Sequence, residues 1–132
     1  SDLFRNISPQ RSSWISTGSG IGGVTYNFVI SKTSPRVELY IDTGNKKQNK
    51  AIFDYLYERK DVIKESFGDE LIWQRKEDKR LCRIKCEIQA NGFDKEHWEE
   101  ITNFMVDSMI KFEKSLRDQI EEVKRLLHQD EL

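Results

Sequence analysis

Residues 36–42 read RVELYID, an alternation that places Val37, Leu39 and Ile41 on one side of an extended strand and Glu38, Tyr40 and Asp42 on the other. One side is expected to be buried and the other wet. The run NKAIFDYLYERK from Asn49 then changes period, with Ile52, Leu56, Ile63 and Phe67 recurring at helical spacing. Asp42, Thr43, Gly44 and Asn45 offer capping side chains before it and Gly68 an end cap after it, which predicts one helix over residues 46–67.

The rest of the chain extends the same pattern. Strands are predicted at 13–17 around Trp14 and at 25–31, joined by a turn rich in glycine, and Pro35 stands at the mouth of the third strand. After the helix, strands at 71–76 and 81–90 flank the charged turn Glu77-Asp78-Lys79, and Asn91-Gly92 closes the second of them. Cys82, Ile84, Cys86 and Ile88 alternate with Arg83, Lys85 and Glu87. Four residues of strand separate the two cysteines by about 13 Å, past the roughly 7 Å limit for a disulfide, so both read as reduced, buried thiols. From Asp94, a natural N-cap, apolar residues follow a helical stripe almost to the end, a helix of about 33 residues and about 50 Å. That helix is expected to overrun the sheet. The order βββαββα gives an α+β fold, an antiparallel sheet of about five strands with two helices on one face and a long C-terminal helix.

A chain of 132 residues matches one domain, 1–132, and its start without Met suggests the C-terminal part of a longer protein. Lys+Arg 22 against Asp+Glu 23 leaves a net charge of -1, so nothing draws the whole chain toward nucleic acid or an anionic membrane. A local basic patch is still compatible with that balance. With neither a spanning apolar run nor a signal-peptide core, the expected location is cytoplasmic, away from membranes.

Four motifs invite chemistry. Gly18, Gly20 and Gly23 satisfy G-x-G-x-x-G, but a strand follows where a phosphate-binding loop needs a helix N-terminus, so they read as a hairpin turn. Glu38, Asp42, Asp69, Glu70, Glu87 and Gln89 invite comparison with restriction-type nucleases, yet Glu87-Ile88-Gln89 lacks the lysine two positions on and no aspartate follows a proline. His97 and His128 have no His or Cys at ligand spacing; no catalytic residue, metal site or cofactor is expected. Arg75, Lys76, Lys79, Arg80, Arg83 and Lys85 collect in the second hairpin and form the candidate nucleic-acid surface. On the last helix Phe112, Leu116, Ile120, Val123 and Leu127 continue past the sheet's reach, a surplus that marks a candidate interface.

Trp14, the glycine turn, RVELYID, Asn49-Lys50, Phe53-Asp54-Tyr55-Leu56, the stretch from Gly68 to Leu71-Ile72-Trp73, and Trp98 with Phe112 together resemble an uncharacterised prokaryotic family, domain of unknown function 4268. The resemblance covers nearly the whole chain and implies the C-terminal part of bacterial and archaeal proteins, often behind a restriction-endonuclease-like domain. It carries no catalytic residues. The expectation is therefore a non-catalytic accessory module of a nuclease- or defence-associated protein, acting in docking, dimerisation or nucleic-acid positioning. Expected partners are a second copy (a homodimer), an upstream domain of the same protein, or DNA. The rival expectation is a metal-dependent nuclease with a degenerate restriction-endonuclease-like site.

Overall fold

A computed structural model describes residues 13–30, 35–88, 96 and 98–132. The closing Asn91-Gly92, the N-cap Asp94, Gln89 and His97 lie outside the described residues. Five strands form one antiparallel sheet: β1 (Ser13–Gly18), β2 (Val24–Ile30), β3 (Arg36–Ile41), β4 (Ile72–Gln74) and β5 (Cys82–Glu87). Their spatial order is β1-β2-β3-β5-β4, so β3 is the central strand. Its apolar residues meet those of the cysteine strand in register, Val37 opposite Cys86, Leu39 opposite Ile84 and Ile41 opposite Cys82. Both cysteines are free thiols on that apolar face.

The glycine turn is a hairpin connection between β1 and β2, as its place in an alternating stretch predicts. Gly23 is the demanding position: its φ is +83°, and a Cβ there would sit 2.6 Å from Thr43 Cα. Only glycine lets β2 start this close to the end of β3.

The predicted helix over 46–67 is two helices, α1 (Lys46–Glu58) and α2 (Lys60–Phe67). Neither glycine nor proline marks the break. The Arg59 guanidinium lies 3.6 Å from the Tyr55 ring centre and donates to the Tyr55 carbonyl at 2.9 Å, while the Arg59 N–H turns to Leu56 O. A side chain thus takes the acceptor that the next helical bond would have used. The bend lets α2 pack on the last helix, and Gly68, with φ of +95°, ends α2 as expected.

Helix α3 (Trp98–His128) carries the long stripe. Its expected overhang does not occur. Ile101 and Met105 bury against Ile30 and Ile88 at one end, and Phe112, Leu116, Ile120 and Val123 bury in the main cluster with β2, β3, α1 and α2. The stripe is longer than the strands because it also covers α2. No helix among the described residues is long and apolar enough to cross a membrane.

Candidate functional site

Core residues fix the parity of every strand, and the opposite parity builds the second face of the sheet. Asn27, Glu38 and Lys85 lie side by side across β2, β3 and β5, with Tyr40 beside Arg83 and Arg36 beside Glu87. All described helices pack on the other face. Yet Glu38, expected on the wet side, is only 2% exposed. Its Oε1 lies 2.8 Å from Arg36 Nε and 3.0 Å from Arg83 Nε, and its Oε2 accepts from Asn27 Nδ2 at 2.9 Å. A carboxylate at the centre of a sheet can be buried when cations and a donor surround it. Two polar atoms in this cluster, Asn27 Oδ1 and Arg83 Nε, are buried without an aligned hydrogen bond. Above them opens a cavity of about 520 Å³ lined by Ser16, Thr25, Asn27, Glu38, Tyr40 and Arg83, among others.

The end of β3 is tied to the β4–β5 hairpin by a second polar network. Asp42 accepts two hydrogen bonds from the Arg80 guanidinium (2.9 and 2.8 Å), one from Gly44 N–H and one from Asn49 Nδ2. Fully buried Asn49 also donates to Arg80 O and accepts from Thr43 N–H and its hydroxyl. Next to it, the Lys50 ammonium donates to the carbonyls of Arg75, Lys76 and Leu81 at 2.5, 2.8 and 3.0 Å. With a further contact to Cys82 Sγ at 3.4 Å, these bonds make Lys50 a clamp on the hairpin.

The Arg80 guanidinium beside Asp42 holds that carboxyl below the usual carboxylate range, helped by Gly44 and Asn49 and opposed by burial. A lowered folded-state value means that the stabilisation is present above the unfolded value of about 4 and is lost as pH falls through the folded one. The urea midpoint of Asp42→Asn should therefore lie below that of the parent at about pH 6, the gap closing toward about pH 2. A gap that stays constant across that range would sever the link to Asp42.

The six basic residues do not form one patch. Arg75 is held by Asp54 (2.8 Å) and Glu77 (2.5 Å), and Arg80 by Asp42. Lys76 and Lys79 sit in the turn between β4 and β5, where Lys79 N–H donates to Lys76 O. Only Arg83 and Lys85 join the helix-free face, where Lys85 lies 2.9 Å from Glu87. Tyr40 stands beside them with its ring centre 5.7 Å from the Arg83 guanidinium carbon. Trp73 does not, since it packs edge-on against Phe53 and Tyr57 on the helix side. Phe112, Leu116, Ile120 and Val123 are core residues of this chain, with Leu127 half-buried against them, so the surplus surface read from helix length is absent. Among the described residues, the large apolar side chains exposed on α3 are instead Phe104 and Ile110.

The acidic candidates are dispersed. Glu70 pairs with Lys64, Glu87 with Lys85 and Asp42 with Arg80. Among the described residues no three His, Cys, Asp or Glu side chains converge as a metal site would require, and His128 is exposed at the end of α3. What the residue types did not disclose is the Arg36, Asn27 and Glu38 grouping. Its one signal is parity: Arg36 shares a face with Glu38 and Tyr40, and β2 aligned on β3 by its apolar residues brings Asn27 to Glu38.

Neither a curated protein nor a solved structure matches this chain significantly. One family model does, over residues 1–120. With nearly the whole sequence matched and the expected α+β scaffold in place, the chain belongs to the family described as domain of unknown function, DUF4268.

Proposed function

We propose that this domain is a cytoplasmic, non-catalytic accessory module of a nuclease- or defence-associated prokaryotic protein, and that it positions single-stranded nucleic acid on the helix-free face of its sheet. The observation that carries the reading is the asymmetry of the two faces: the described helices cover one, while the other carries Arg36, Arg83 and Lys85 on adjacent strands, with an aromatic ring, Tyr40, beside Arg83. Single strands are bound by such a combination, cations along the backbone and rings against the bases. Local placement of these cations matters more here than the net charge of -1.

Anisotropy of a fluorescein-labelled single-stranded oligonucleotide tests this. Binding should be measurable at about 50 mM salt and weaken on a log–log plot with salt, and Lys85→Gln should lower the slope by about 0.7, the share of one phosphate contact on a single strand. No binding at low salt would remove the reading. Incubation with Mg²⁺ or Mn²⁺ should leave the oligonucleotide intact; cleavage that disappears in Glu87→Ala would instead establish the nuclease alternative.

A further inference from the structure

We infer that the cavity over Glu38 is a binding site for one nucleotide unit of a strand, with its phosphodiester on the Arg36 and Arg83 guanidiniums, its base against Tyr40, and a base or sugar donor on Asn27 Oδ1. This rests on the nucleic-acid reading above and names the site where that reading is most specific. Two guanidiniums share one carboxylate here, so the cluster keeps one net positive charge. A phosphodiester carries one negative charge. Each guanidinium turns its Nε toward Glu38, which leaves the forked terminal nitrogens for a second anion. Arg83 Nη1 has only a long contact to Gln74 Oε1, at 3.5 Å.

Asn27 supplies the second, independent indication. The residue is 6% exposed, its Nδ2 is committed to Glu38, and its Oδ1 accepts from no group. A buried acceptor without a donor is costly, and it lines the cavity together with the arginines and Tyr40. A nucleotide offers the missing donor through a base N–H or a sugar hydroxyl. At about 520 Å³ the cavity falls in the ~300–1,000 Å³ range of small-ligand sites. Tyr40 is half-buried beside Arg83, so one side of its ring is already braced for stacking.

The test is a nuclear magnetic resonance titration of the 132-residue chain with an eight-residue oligothymidylate, with thymidine monophosphate and inorganic phosphate as separate arms. The oligothymidylate should move the Asn27 side-chain amide and the Tyr40 ring resonances, and Arg36→Lys or Arg83→Lys should weaken its binding by about fivefold or more, because lysine keeps the charge beside Glu38 but loses the fork. Shifts confined to Lys76 and Lys79, with Asn27 unmoved, would overturn this site and leave nucleic-acid binding standing. Equal affinity for inorganic phosphate or the monophosphate would overturn the assignment to a strand. Absence of any oligothymidylate binding at low salt would overturn both this inference and the reading beneath it.

Discussion

Phe112→Ala is expected to destabilise the domain by about 3–5 kcal/mol, the range for deleting a buried aromatic ring and leaving a cavity. Phe112 is fully buried and its ring meets two others edge-on, Tyr26 of β2 at 6.2 Å and Phe67 of α2 at 6.1 Å. It therefore joins three elements at once. The site cannot collapse easily, because Tyr26 is anchored in the sheet and Phe67 sits at the capped end of α2. For a domain whose total stability is about 5–15 kcal/mol, that loss is a large fraction, and with a urea slope of about 2 kcal/mol/M the midpoint should fall by about 2 M. Urea unfolding followed by circular dichroism reads it directly. A shift under about 0.5 M would mean that the ring is not a core anchor, and the intramolecular burial of the α3 stripe would have to be reconsidered.

That stripe shows where sequence reasoning succeeds and where it stops. Helical periodicity located α3 and alternation located β3 and β5, because one buried face imposes a period that survives any choice of neighbours, while turn residues marked off the other strands. Periodicity does not say which element covers the stripe. The length of α3 suggested an overhang, whereas the bend at Arg59 swings α2 over the same residues, and that bend depends on a guanidinium finding one carbonyl. The basic hairpin failed as a patch for a related reason: Asp42 and Asp54, far away in sequence, neutralise Arg80 and Arg75. Composition sees the cations and not their partners. Glu38 is the sharpest case, since strand parity correctly assigned it to the helix-free face but could not reveal that two arginines and Asn27 would enclose it there.

Glu38→Ala should cost about 3 kcal/mol, the low end for removing one partner from a buried ion pair, because each arginine side chain retains 18% exposure. The loss has two parts. Arg36 and Arg83 would face each other without their shared carboxylate, and Asn27 Nδ2 would lose its acceptor. Replacing all three charged residues by leucine asks a different question, since well-packed apolar side chains in place of a buried ionic cluster are often neutral or stabilising. The triple variant Arg36→Leu, Glu38→Leu, Arg83→Leu should recover most of the stability that Glu38→Ala loses, while losing oligothymidylate binding. Thermal and urea unfolding of the two variants beside the parent, followed by the anisotropy assay, separates the possibilities. A triple variant less stable than Glu38→Ala would mean that the ionic cluster holds the sheet together; recovery of stability without recovery of binding would mean that β3 and β5 carry these charges for what they bind.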